Sequence, residues 1–81
     1  MRATPQEVES LRQLMAEHPL DESREAYAER GLTQRRWVFD HLWTIPQARR
    51  WPLIAQMYDR GLNDDHIFTA LKAALRKETA L

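Results

Sequence analysis

Tyr27-Ala28-Glu29-Arg30-Gly31-Leu32-Thr33-Gln34-Arg35-Arg36-Trp37 returns thirty residues later as Met57-Tyr58-Asp59-Arg60-Gly61-Leu62-Asn63-Asp64-Asp65-His66-Ile67, and the two phrases use both glycines of the chain. Glycine lacks a Cβ, so Gly31 and Gly61 can take the left-handed conformation that closes a helix without steric penalty. The next residue, Leu32 or Leu62, then faces the apolar residue five positions earlier, Tyr27 or Met57, as in a Schellman-type stop. Thr33 and Asn63 follow as N-caps, which puts each leucine where it can staple onto Trp37 or Ile67 at the fourth helical position. Each phrase therefore predicts helix, Gly-Leu corner, helix. Strict identity is confined to Arg-Gly-Leu, with Glu29 matched by Asp59. Duplication and repeated use of one capping solution account for it equally well.

Outward from the second corner, the predicted helix E starts at the Asn63 cap, with Asp64 and Asp65 at its positive end and Arg76 and Lys77 near its negative end. Ile67, Phe68, Leu71, Ala74 and Leu75 form its apolar stripe, and fraying is expected over 78–81. Helix C, about Gln34 to Thr44, places Val38, Phe39 and Leu42 on one face with Trp43 at the edge. Trp37 lies off that stripe, one turn from His41; it is read either as the staple to Leu32 or as an exposed binding anchor. Helix B, about Glu22 to Arg30, is capped by Asp21 or Ser23, and its apolar content is so thin that packing must hold it. Helix A, Pro5 to Glu17, has Thr4 as cap, Pro5 at the first position and Glu7 at the third, the pattern of a capping box. His18-Pro19 ends it. The segment 45–52 holds Pro46 and Pro52, and a helix running through Pro52 would cost about 3 kcal/mol. A connector is the expectation there, with helix D from near Pro52 to Arg60. The reading is an all-α fold, a compact bundle of about five short helices containing two similar helix-Gly-Leu-helix hairpins, in a single domain spanning 1–81.

Composition narrows the function. At 81 residues and 43% hydrophobic content, the chain carries enough for one small core. The absence of cysteine excludes disulfides and thiolate metal sites. No apolar run marks the N-terminus for export or reaches the roughly 20 residues of a membrane span, so a cytoplasmic, non-membrane protein is expected. Net charge is zero, but residues 1–33 hold four Arg against seven acids, while 34–51 hold Arg35, Arg36, Arg49 and Arg50 against Asp40 alone. Internal pairing between the two regions is expected, and the balance weighs against non-specific DNA binding, which needs a basic excess.

The Gly-Leu corner invites comparison with the DNA-binding helix-turn-helix. That motif wants a small residue where Tyr27 or Met57 stands and apolar ones where Arg30, Asp40 and Arg60 stand, and Asp64-Asp65 would repel phosphate. For catalysis, His18, His41 and His66 lack a metal-ligating partner at helical spacing, and no phosphate loop, paired carboxylates or activated nucleophile is recognisable. No catalytic residue, metal site or cofactor is expected. The chain reads as a non-enzyme.

A patch remains. Trp37, Phe39, Trp43, Trp51 and Tyr58, five of the seven aromatics, overlap the four-arginine segment. Arg, Trp and Tyr combine large buried area with a polar handle and are enriched at binding hot spots. Arg35, Arg36, Trp37, Arg49, Arg50 and Trp51 are the candidate partner-binding residues. The competing reading has Trp51 roofing the core and the arginines pairing with acids of helices A and B.

Phe39-Asp-His-Leu-Trp43, followed by Leu62-Asn-Asp-Asp-His-Ile-Phe-Thr-Ala-Leu71, resembles short uncharacterised helical proteins encoded by bacteriophages, over roughly the C-terminal half. The resemblance implies a small phage or mobile-element accessory protein that binds and modulates a host protein, including inhibition of a defence component such as a CRISPR effector. The alternative is a helix-turn-helix-like nucleic-acid-binding regulator using Gln34–Trp43. A homodimer that buries the exposed aromatics fits either.

Overall fold

Both glycines do adopt the left-handed conformation, Gly31 at φ 77° and Gly61 at φ 96°. The structure is a computed structural model that describes the backbone of residues 1–79 and the side chains through Arg76. At the first corner the Leu32 N–H donates to the Tyr27 carbonyl (3.0 Å) and Gly31 N–H to Ala28 (3.0 Å). At the second, Leu62 N–H donates to Met57 (3.1 Å) and Gly61 N–H to Tyr58 (2.9 Å). These are the paired bonds of a Schellman motif, and they satisfy carbonyls that a helix end otherwise leaves open.

The described residues form five helices and no strand: α1 Pro5–Glu17, α2 Arg24–Glu29, α3 Gln34–Trp43, α4 Gln47–Asp59 and α5 Asp64–Thr79. α1 has the expected bounds and capping box, with Thr4 Oγ1 accepting from Glu7 N–H and Glu7 Oε1 from Thr4 N–H. α2 is shorter than expected because Ser23, and not Asp21, is its cap. Asn63 Oδ1 accepts from His66 N–H and the Asn63 N–H donates to His66 Nδ1, a second reciprocal cap in which histidine takes the usual place of glutamate. α5 is still helical at Glu78 and Thr79, so fraying does not begin there; Ala80, Leu81 and the Lys77 side chain lie outside the described residues.

The expected connector over 45–52 is overturned. Only Thr44, Ile45 and Pro46 separate α3 from α4, and Pro52 sits inside α4. Pro46, at φ −54° and ψ 141°, acts as N-cap without a side-chain cap bond, and its carbonyl accepts from Arg50 N–H (3.0 Å). Local signals oppose this start, since arginines occupy the positive end of the helix. Packing of the rest of the helix works against them, since Ile54 and Met57 of α4 are buried in the central cluster; Arg49 also pairs with Glu17 on α1, and Arg50 Nη1 donates to the Ile45 carbonyl at 2.7 Å. The proline then removes one hydrogen bond, to the Ala48 carbonyl. Pro52→Ala restores that donor at an exposed position. We expect a gain of about 1 kcal/mol, because the recovered bond exceeds the entropy that proline takes from the unfolded chain. Urea denaturation checks it, and a loss of stability would refute this account of α4.

The hydrophobic cluster draws on α1, α3, α4 and α5. Leu11 and Met15 come from α1, Val38 and Leu42 from α3, Ile54 and Met57 from α4, with Ile45 and Leu62 added by the links between helices. α5 contributes Ile67, Ala70, Leu71 and Ala74, an i, i+3, i+4, i+7 stripe in which the alanines keep the face low for close approach. α5 packs against α1 and α3, α4 against α1, and α2 chiefly against α3. The thin helix α2 is held to α3 by polar bonds, with Tyr27 Oη donating to Asp40 (2.6 Å) and Trp37 Nε1 to the Glu22 carbonyl (3.0 Å). No helix among the described residues is long and apolar enough to cross a membrane.

Candidate docking surface

Because α4 begins at Gln47, Arg50 and Trp51 stand on the same helical face as Ile54 and Tyr58, three to four residues apart. The same spacing on α3 aligns Arg35, Phe39, Leu42 and Trp43. The two faces, closed at one end by Asp64 and Ile67 of α5, line a groove of about 460 Å³. Its walls hold the large hydrophobic side chains that are most exposed among the described residues after Met1: Trp43 at 63%, Trp51 at 53% and Tyr58 at 40%. A continuous α4 is therefore what assembles the groove.

Cations edge this aromatic surface without leaving it. The Arg50 guanidinium lies 4.4 Å from the Trp43 ring centroid, and Arg35 lies 4.9 Å from Phe68 and 5.3 Å from Phe39. Arg35 also pairs with Asp65 at 3.0 Å, and Phe39 stacks on Phe68 with centroids 6.0 Å apart. Tyr58 Oη donates to Asp64 (2.7 Å), and that bond raises the phenol pKa above its ordinary value because ionising it would forfeit the donor to a carboxylate. The groove thus presents apolar rings, of which Tyr58 is held by Asp64 and Trp43 lies under Arg50.

Of the six residues singled out from the sequence, Arg35, Arg50 and Trp51 share this groove. Trp37 is half-buried on another face of α3, with its ring 4.5 Å from that of His41. Arg36 lies 3.7 Å from Asp40 one turn on in its own helix, and Arg49 faces α1, bound to Glu17 with His18 Nε2 at 3.3 Å. Of these arginines only Arg49 pairs with an acid of the N-terminal third; Glu9 and Glu22 of that third pair with Arg12 and Arg30. Phe39, Trp43 and Tyr58 belong to the groove but not to the six. Their signal was present in the spacing of 35, 39 and 43 and of 51, 54 and 58, readable once both segments are taken as helix.

The polar groups that look like chemistry have structural partners. Asp64 accepts from Tyr58, Asp65 pairs with Arg35 and His66 caps Asn63. No group of three His, Cys, Asp or Glu among the described residues is placed to hold a metal ion. What the surface offers is area, shape and aromatic edge, the ingredients of recognition.

No family model, curated protein or solved structure matches this chain.

Proposed function

We propose that this protein acts without catalysis, by docking a segment of a partner protein into the α3–α4 groove, as a phage or mobile-element accessory factor that modulates a host protein. Inhibition of a defence component such as a CRISPR effector belongs to that class. The observation that carries the reading is the joint exposure of Trp43, Trp51 and Tyr58 along one groove. Surface indoles cost solubility, and three large aromatics side by side mark an interaction site more often than a bare face. The phage context rests on the resemblance in Phe39–Trp43 and Leu62–Leu71. The cations Arg35 and Arg50 at the edge favour a partner segment that brings carboxylates beside an apolar side chain.

The test is capture from a host lysate with the tagged full chain, repeated with single variants. Trp43→Ala and Trp51→Ala should each lower affinity for the captured protein about tenfold or more, with the melting temperature unchanged because both rings are exposed. Arg36→Ala, off the groove, should bind as the parent does. Retention of binding by both tryptophan variants would refute the groove. Sedimentation showing that the tryptophans instead bury each other in a dimer, or duplex DNA binding lost on replacing Arg35 and Arg36, would replace the reading with self-association or nucleic-acid binding.

A further inference from the structure

The C-terminal end of α1, the 18–20 link, α2, α3 and α5 enclose a second concavity of about 460 Å³ on another face of α3. That volume lies in the range of small-molecule sites, which typically span about 300 to 1,000 Å³. Its lining is largely apolar, with Met15, Leu20 and Trp37 prominent; the charged residues that contribute to it are Arg24, Lys72 and Arg76, and no Asp or Glu is among the described residues that line it. One-sided charge around an apolar hollow is unusual in a chain whose cations and acids number 12 each. Asp21 and Glu25, next in sequence to Leu20 and Arg24, do not line it, while Glu17 pairs with Arg49 and Glu22 with Arg30 at 2.7 Å. Arg24 and Lys72 form no ion pair among the described residues; Lys72 lies 4.6 Å over the Phe68 ring. The Trp37 wall is also held in place, since its Nε1 donates to the Glu22 carbonyl.

We infer that this hollow binds a small amphipathic monoanion, an acyl or aryl carboxylate whose body lies against Trp37 and Met15 and whose head meets Arg24 and Lys72. Burying the body supplies affinity in proportion to apolar area, and the charge-assisted bonds at the head select an anion over a neutral isostere. The site is separate from the α3–α4 groove and does not depend on what docks there.

The experiment titrates the isotope-labelled full chain with decanoate below its micellar range, and in parallel with decan-1-ol, following amide and indole N–H resonances. Decanoate should shift the Trp37 indole and the amides of Leu20, Gln34 and Lys72. Decan-1-ol should bind about tenfold more weakly, the scale of one lost charged hydrogen bond. Arg24→Ala and Lys72→Ala should weaken decanoate and leave decan-1-ol unchanged. Equal affinity for the two probes, shifts centred on Trp43 and Trp51, or no saturable shift with decanoate would each overturn the inference.

Discussion

Arg60→Ala will lower stability by about 2 kcal/mol at neutral pH, less than the loss of one partner from a fully buried ion pair because the Arg60 side chain is 37% exposed while the Glu7 carboxylate is buried. Glu7 is only 2% exposed, and its carboxylate is gripped from one side by Arg60, with Nη2 2.6 Å from Oε1 and Nε 3.2 Å from Oε2. Thr4 N–H and Gln56 Nε2 complete the shell. Take the guanidinium away and a charge remains in the core with two neutral donors. For a domain of this size the melting temperature should fall by roughly 8–16 °C. The effect has a pH signature. The bond to Arg60 is the main cause that holds Glu7 below its ordinary pKa of 4.5, against burial, which pushes the other way. A depressed carboxyl contributes stability that is present above the unfolded-state value and is lost as pH falls through the folded-state value. The gap between parent and variant should therefore be widest near neutrality and should narrow once pH drops below about 4.5. Parallel stability–pH curves for the two proteins would mean that Arg60 acts by packing and not through the charge.

That pair shows where sequence reading reaches and where it stops. The reciprocal cap between Thr4 and Glu7 spans three residues, and local rules of helix termination reveal it. The bond from Glu7 to Arg60 spans fifty-three, and nothing in either neighbourhood announces it. The same division explains α4. Two prolines, no capping side chain and arginines at the positive end of the dipole all argue locally against helix at 47–51. Burial of Ile54 and Met57 against the other helices, with Arg49 on Glu17 and Arg50 on Trp43, favours the helix, and those are contacts between elements. The error carried into the site. With 47–51 read as connector, Trp51 stands beside Arg49 and Arg50 in a proline-bounded link; as helix, it joins Tyr58 and lines one groove with Trp43. Composition identified the aromatic and arginine-rich middle, whereas which faces meet was a matter of three-dimensional register.

Leu62→Ala should cost about 3 kcal/mol and Leu32→Ala about 1 kcal/mol, although the two leucines hold the same place in the repeated phrase. The backbone of the two corners is equivalent: both glycines have positive φ, and both leucines donate to the carbonyl five residues back. Neither substitution touches those bonds, so the difference lies in the side chains alone. Leu62 is 3% exposed and belongs to the central cluster with Met57 and Ile67, so truncation leaves a cavity that the neighbours cannot fill. Leu32 is half-buried and water can take its place. The first corner is secured instead by Tyr27, 4% exposed and bonded to Asp40, and by Trp37 on the Glu22 carbonyl. The second corner is held chiefly by apolar packing, and the first also by polar bonds. Urea titrations with unchanged m-values would give the two losses directly. Equal losses would show that Leu32 closes its hairpin as Leu62 does, and that the polar bonds of Tyr27 and Trp37 add nothing that α2 needs to stay docked on α3.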